Sequence, residues 1–118
     1  MNLLEMFERS NDDKTFSAES WLFHEGTPGD LMYVLLEGEV EISVRGQVLW
    51  LAQPGDLLGE MALIDAKSRS ASAQARTDCR VAAVDEQRFL DMVARVPEFS
   101  LHVMSVLAER LRGMDKRV

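Results

Sequence analysis

Cysteine is almost absent: Cys79 stands alone, so no internal disulfide can brace the fold. A lone thiol fits a reducing cytoplasm and reads as a small apolar filler beside a strand. Histidine is nearly as scarce, with His24 in a turn and His102 in a helix, which leaves little to build a metal centre from. Long apolar runs are missing too. The longest, Leu31 to Leu36, falls far short of the roughly 20 residues that cross a bilayer, so no membrane insertion is expected. Met1 to Phe7 has neither a basic start nor a cleavage site, and no secretory signal is expected there. Positive charge is in deficit, 13 Lys and Arg against 20 Asp and Glu, for a formal net charge of −7. Such a chain repels phosphate backbones, so direct nucleic-acid binding is not expected. The densest basic stretch, Arg110, Arg112, Lys116 and Arg117, reads as a helix end where cations meet the negative dipole.

What is present suits one globular domain. The 118 residues are 47% hydrophobic and 28% charged, a balance that excludes general disorder. Residues 1–9 read as a short amphipathic helical segment through Leu3, Leu4, Met6 and Phe7. Residues 14–85 read as a β-rich body, with apolar bursts separated by Gly26, Pro28-Gly29-Asp30, Gly38, Arg45-Gly46 and Pro54-Gly55-Asp56. Val40, Ile42 and Val44 alternate with polar residues, as do Ala71, Ala73 and Ala75, the period of half-buried strands. Arg45-Gly46 predicts a tight hairpin. Residues 86–117 change to helical period, with Phe89, Leu90 and Val93 on one face and Pro97 opening a second helix. In that helix Met104, Leu107, Leu111 and Met114 repeat at spacings of three and four. This stripe is expected to pack on the β body or a ligand; a seam between two protomers is the alternative.

The chemistry sits in Gly55-Asp56-Leu57-Leu58-Gly59-Glu60-Met61-Ala62-Leu63-Ile64 and Arg69-Ser70-Ala71. The stretch predicts a strand, a glycine turn, one helical turn, a polar loop and a returning strand. First-turn N–H groups lack intrahelical partners and can face an anion. Arg69 can face the same space, and a guanidinium fork matches a phosphate. Glu60 would be repelled by phosphate, so it needs a neutral donor such as a sugar hydroxyl. An internal ion pair that only pins the loop is the alternative, though a costly one when buried.

Gly59-Glu60-Met61-Ala62-Leu63, followed by Arg69-Ser70-Ala71, resembles the phosphate-binding cassette of cyclic-nucleotide-binding domains. The resemblance extends over nearly the whole chain through Phe23-His24-Glu25-Gly26-Thr27-Pro28-Gly29-Asp30-Leu31-Met32-Tyr33, Gly38 and Pro54-Gly55-Asp56. It implies an eight-stranded antiparallel jelly roll with a short N-terminal helix and two C-terminal helices. It also implies a sensor of the catabolite-activator type rather than an enzyme, with no catalytic residues, metal or cofactor. The implied ligand is cAMP or cGMP, bound inside the roll, and cAMP is the one expected. Within a cassette spanning residues 59–71, Glu60 matches the glutamate that accepts the ribose 2′-hydroxyl. Arg69 matches the arginine that pairs with the exocyclic phosphate oxygens. Gly59, the N–H groups around Met61, Ala62 and Ala71, and the Ser70 hydroxyl would complete the anion site. Ser68 departs from the family, which often has proline there.

In the family the second C-terminal helix covers the purine, which points to Arg110, Met114 and Asp115 as base contacts. Met114 would offer a polarizable surface and Asp115 an acceptor for an exocyclic amine. Ser70 can reach a guanine in the syn form, which keeps cGMP open. The expectation is a cytoplasmic module, monomeric or weakly dimeric, that signals to an unknown protein partner through movement of its C-terminal helices. A stand-alone module without a helix-turn-helix is expected; a fragment of a longer transcription factor, channel or kinase is the alternative reading. A cupin-like metal enzyme and a degenerate module that binds no nucleotide are the more distant ones.

Overall fold

The computed structural model describes residues 1–9, 13–64 and 68–115, without the side chains of Met114 and Asp115. The chain divides into a β-rich unit, Asn2–Glu86, and a helical unit from Gln87 onward.

The β-rich unit opens with α1 (Leu3–Phe7), whose first turn is capped where the Glu5 N–H donates to the Asn2 side chain at 3.2 Å. Eight strands follow: β1 (Asp13–Phe16), β2 (Trp21–Phe23), β3 (Leu31–Glu37), β4 (Val40–Val44), β5 (Gln47–Ala52), β6 (Leu57–Leu58), β7 (Ser72–Ala75) and β8 (Cys79–Asp85). A short helix, α2 (Met61–Ile64), lies between β6 and β7. The strands form two antiparallel four-stranded sheets, ordered β1-β8-β3-β6 and β2-β7-β4-β5. The chain passes repeatedly from one sheet to the other, which winds it into the expected jelly roll.

The core lies between the sheets. Tyr33, Leu35, Leu58, Cys79 and Val81 come from one, and Leu22, Val40, Ile42, Ala52, Ala73 and Ala75 from the other. Large residues face small ones across the register: Val40 opposes Ala75, and Ile42 opposes Ala73. That pairing explains the alanine alternation of β7. β3 departs from alternation, because Met32, Val34 and Leu36 are buried as well as Tyr33 and Leu35. A strand covered on both faces has no polar side to display, hence the Leu31–Leu36 run. α1 packs against β3 and buries Leu3 and Phe7.

Turn chemistry sets the register. Arg45 and Gly46 take φ of 53° and 79°, the left-handed pair that a two-residue hairpin requires. The Arg45 N–H donates to the Glu25 carboxylate at 2.9 Å, which ties this hairpin to the turn after β2. Arg80 on β8 bridges Asp13 on β1 and Glu37 on β3, its Nε 3.3 Å from the Glu37 carboxylate. This three-strand clamp explains how the polar β1 holds its edge position without an apolar stripe.

The helical unit contains α3 (Glu86–Arg95) and α4 (Pro97–Asp115). Pro97 takes the first position of α4, where its missing N–H costs nothing. Phe89 meets Phe99 edge to face, with centroids 5.5 Å apart. The buried residues of α4 are Phe99 and Val103, with Val106, Leu107 and Arg110 half-buried. Met104 and Leu111, expected in the packed stripe, are 55% and 61% exposed, and Leu90 on α3 is exposed too. α4 carries two interleaved apolar stripes of the same period, and the one led by Phe99 is covered.

Gly38 has φ of +94°, and a Cβ there would strike the Asp78 carbonyl, the Cys79 sulfur and the Thr77 hydroxyl. Gly38→Ala is therefore expected to lower stability by about 2 kcal/mol or more, read as an earlier urea midpoint.

Candidate functional site

β6 ends abruptly. Leu57 and Leu58 pair with Val34 and Tyr33 of β3, and then Gly59 turns the chain with φ of +71°. Glu60 follows and opens α2, its carbonyl accepting from the Leu63 and Ile64 N–H groups at 3.1 Å each. The Ala62 N–H donates to the Gly59 carbonyl at 3.3 Å. The expected strand, glycine turn and helical turn are all present.

Arg69 returns toward β7 and is held first by its backbone. Its N–H donates to the Thr27 carbonyl, and its own carbonyl accepts from the Gly26 N–H, both at 2.8 Å. The turn that receives it is closed on His24, whose carbonyl accepts the Thr27 N–H at 3.2 Å and the Thr27 hydroxyl at 2.6 Å. Gly26 at φ +82° makes that turn possible.

Among the described residues, the buried polar or charged side chains are Glu60, 3% exposed, and Arg69, 6% exposed. Both are the residues expected to grip a ligand. The Arg69 guanidinium lies over the Phe23 ring, 4.3 Å from its centroid, and Nη1 donates to the Gly59 carbonyl at 3.1 Å. A Cβ at Gly29 or Gly59 would collide with the guanidinium, so both glycines form its cradle. Nε is buried with no hydrogen-bond partner among the described residues. A buried N–H donor without an acceptor is costly, and a ligand anion would satisfy it.

Burial pulls the Arg69 pKa down, while the charges of Tyr33, Asp30 and Glu60 pull it back up. Arginine starts so high that it stays protonated at any physiological pH. Burial pushes the Tyr33 phenol up, against the opposing pull of Arg69. The electrostatic arrangement is a buried cation with Glu60 close enough to act on it.

The other expected residues lie on several elements. Met61 is partly exposed at the start of α2, and Ala62 is buried. Ser70 is exposed, and Ala71 packs against the intersheet core. The Ser72 hydroxyl accepts from the Glu25 N–H at 2.8 Å, a second tie between the start of β7 and the turn after β2. Arg110 is half-buried on α4; the side chains of Met114 and Asp115 lie outside the described residues. Phe23, Gly29, Asp30 and Tyr33 belong to the surroundings of Arg69 but were not singled out in the sequence as parts of a site. Their only signal was the turn segment itself, from Phe23 to Tyr33. Among the described residues, no group of three or more His, Cys, Asp and Glu is placed to hold a metal ion. No helix among them is long and apolar enough to cross a membrane.

The chain is thus a β-roll with a buried arginine and glutamate beside a strand–glycine–helix turn. The family model for the cyclic nucleotide-binding domain matches residues 13–96, and the chain belongs to that family. A CRP-like cAMP-activated global transcriptional regulator of Mycobacterium tuberculosis is 34% identical over 102 residues, 82% of this chain and 46% of the regulator. The crystal structure of Thermus thermophilus catabolite activator protein superposes with a TM-score of 0.82 at 31% identity, covering 89% of this chain and 52% of that one. The EAL enzyme Bd1971 in its cGMP-bound form gives a TM-score of 0.66 at 35% identity, covering 85% of this chain and 28% of the enzyme. Its cAMP-bound form gives 0.65 at 33%, covering 88% and 29%. The chain spans about half the length of the curated relatives it matches first.

Gly29 has an ordinary backbone conformation, and what its Cβ would meet is the buried head group of Arg69. Gly29→Ala is expected to displace the guanidinium and to lower stability by roughly 1–3 kcal/mol. A melting curve checks the second half, and a crystal structure of the variant checks the first.

Proposed function

We propose that this domain binds a cyclic nucleotide, cAMP in preference to cGMP, with Arg69 on the cyclic phosphate and Glu60 on the ribose 2′-hydroxyl. The observation that carries the reading is the Arg69 head group, buried, cradled by two glycines and left with an unpartnered Nε. A structural arginine would spend its donors on the protein. Among the described residues, this one is held by a ring face and the Gly59 carbonyl, which leaves N–H groups for an anion. Glu60 then supplies the acceptor that a sugar hydroxyl needs. The name of the cAMP-activated regulator supports cAMP, and the cAMP-bound and cGMP-bound forms of Bd1971 support the ligand class as a whole.

The role is regulatory. Charge-assisted hydrogen bonds contribute about 1.5–3 kcal/mol each. Two such anchors can bias a conformational equilibrium by a few kcal/mol if the ligand favours one state. We assign that response to α3 and α4, whose movement would report occupancy to a protein partner. A cytoplasmic location agrees with the lone buried thiol.

Two outcomes test the assignment on protein stripped of co-purified nucleotide. In calorimetric titration, Arg69→Ala should weaken cAMP binding at least about tenfold while circular dichroism stays unchanged. Unaltered affinity would remove Arg69 from the phosphate. Wild-type protein should also prefer cAMP over 2′-deoxy-cAMP by roughly tenfold, and Glu60→Gln should narrow that gap. Equal discrimination in both proteins would detach Glu60 from the ribose.

A further inference from the structure

A buried cation needs compensation, and the kind of compensation decides whether it can still bind a ligand. A carboxylate partner would neutralise Arg69 and occupy its donors. An aromatic face attracts the cation through the ring quadrupole and occupies none of its N–H groups. The guanidinium here lies 4.3 Å from the Phe23 centroid. The hydrogen bond from Nη1 to the Gly59 carbonyl fixes its rotation over that ring.

The ring is itself fixed. Phe23 stacks on Tyr33 with centroids 6.3 Å apart and planes 9° from parallel, and Phe16 meets Tyr33 edge-on at 6.4 Å. A Cβ at Gly59 would approach Phe23 to 3.3 Å, so ring and turn are nearly in contact. The same short segment holds both ends of the arginine. Gly26 and Thr27 bind its backbone, whereas Phe23 and Gly29 border its head group.

We propose that Phe23 is a positioning residue for Arg69: its ring face orients the guanidinium so that Nε is presented to the ligand phosphate. Affinity for a cyclic nucleotide then depends on an aromatic ring at position 23 and not on apolar bulk. The inference rests on the cyclic-nucleotide reading above. Phe23 touches the arginine and acts through it.

The test compares Phe23→Leu with Phe23→Tyr. The leucine keeps apolar volume without a quadrupole; the tyrosine keeps the ring. Phe23→Leu should weaken cAMP binding roughly tenfold, with Phe23→Tyr within about twofold of wild type. Affinity of the leucine variant within about twofold of wild type would overturn the proposal. Nuclear magnetic resonance of the ligand-free protein supplies an independent reading. The Arg69 Nε–H proton should be shielded by the ring current in wild type and Phe23→Tyr, and should lose that shift in Phe23→Leu. An unshifted wild-type signal overturns the placement even if the leucine variant fails to fold. Wild-type protein that binds neither cAMP nor cGMP would instead overturn the nucleotide reading, and the Nε–H shift would still decide whether the ring holds the arginine.

Discussion

Arg69 carries its charge to a place where only 6% of the residue is exposed, and the lost hydration has to be replaced. The replacement is partial: a ring face, the Gly59 carbonyl, and the nearby charges of Asp30 and Glu60. Full compensation by a tight carboxylate pair would stabilise the fold more and leave less for an anion. The site thus retains interaction capacity that the folded chain does not use. Gly29 and Gly59 serve the same end by sterics, since any side chain at either position would take the space of the guanidinium.

That arrangement depends on topology more than on any single strand. Phe23 ends β2 in one sheet, while Tyr33 on β3 and the β6 strand leading to Gly59 belong to the other. The jelly roll brings these strands together at one end of its intersheet core. The turn after β2 is the junction, because it binds Arg69 through the backbone, the β4–β5 hairpin through Glu25, and the start of β7 through Ser72. A loop held at several points can be short and still be well oriented. The family match across residues 13–96 covers this whole assembly.

The half-buried strands were legible in the sequence because a period of two survives wherever one face is dry and the other wet. β4 and β7 show it directly. β1 was not legible: its Asp-Lys-Thr-Phe sequence has no alternation, and Arg80 on a distant strand holds it in place. α4 was legible as a helix but not as a packed surface. Its two apolar stripes have equal period, so only tertiary structure selects Phe99 and Val103 over Met104 and Leu111. Glu60 and Arg69 stood out because they belong to one ordered motif, Gly59-Glu60-Met61-Ala62-Leu63 followed by Arg69-Ser70-Ala71. Phe23 and Gly29 did not stand out, since a phenylalanine at a strand end and a glycine in a turn have ordinary explanations until the fold puts them against Arg69.

β3 poses a problem of timing during synthesis. It is buried on both faces, and its main partner, β8, follows about forty residues later. At the usual pace of translation this is a wait of roughly 2–8 s. Throughout it, Leu-Met-Tyr-Val-Leu-Leu stands as a proline-free, uncharged segment of the kind that self-associates. Asp30 and Glu37 flank the run at both ends, as gatekeeper charges do. The strand that carries Tyr33 beside Arg69 thus combines an aggregation-prone composition with a late-arriving partner, and the acidic residues at its ends oppose self-association in the interval.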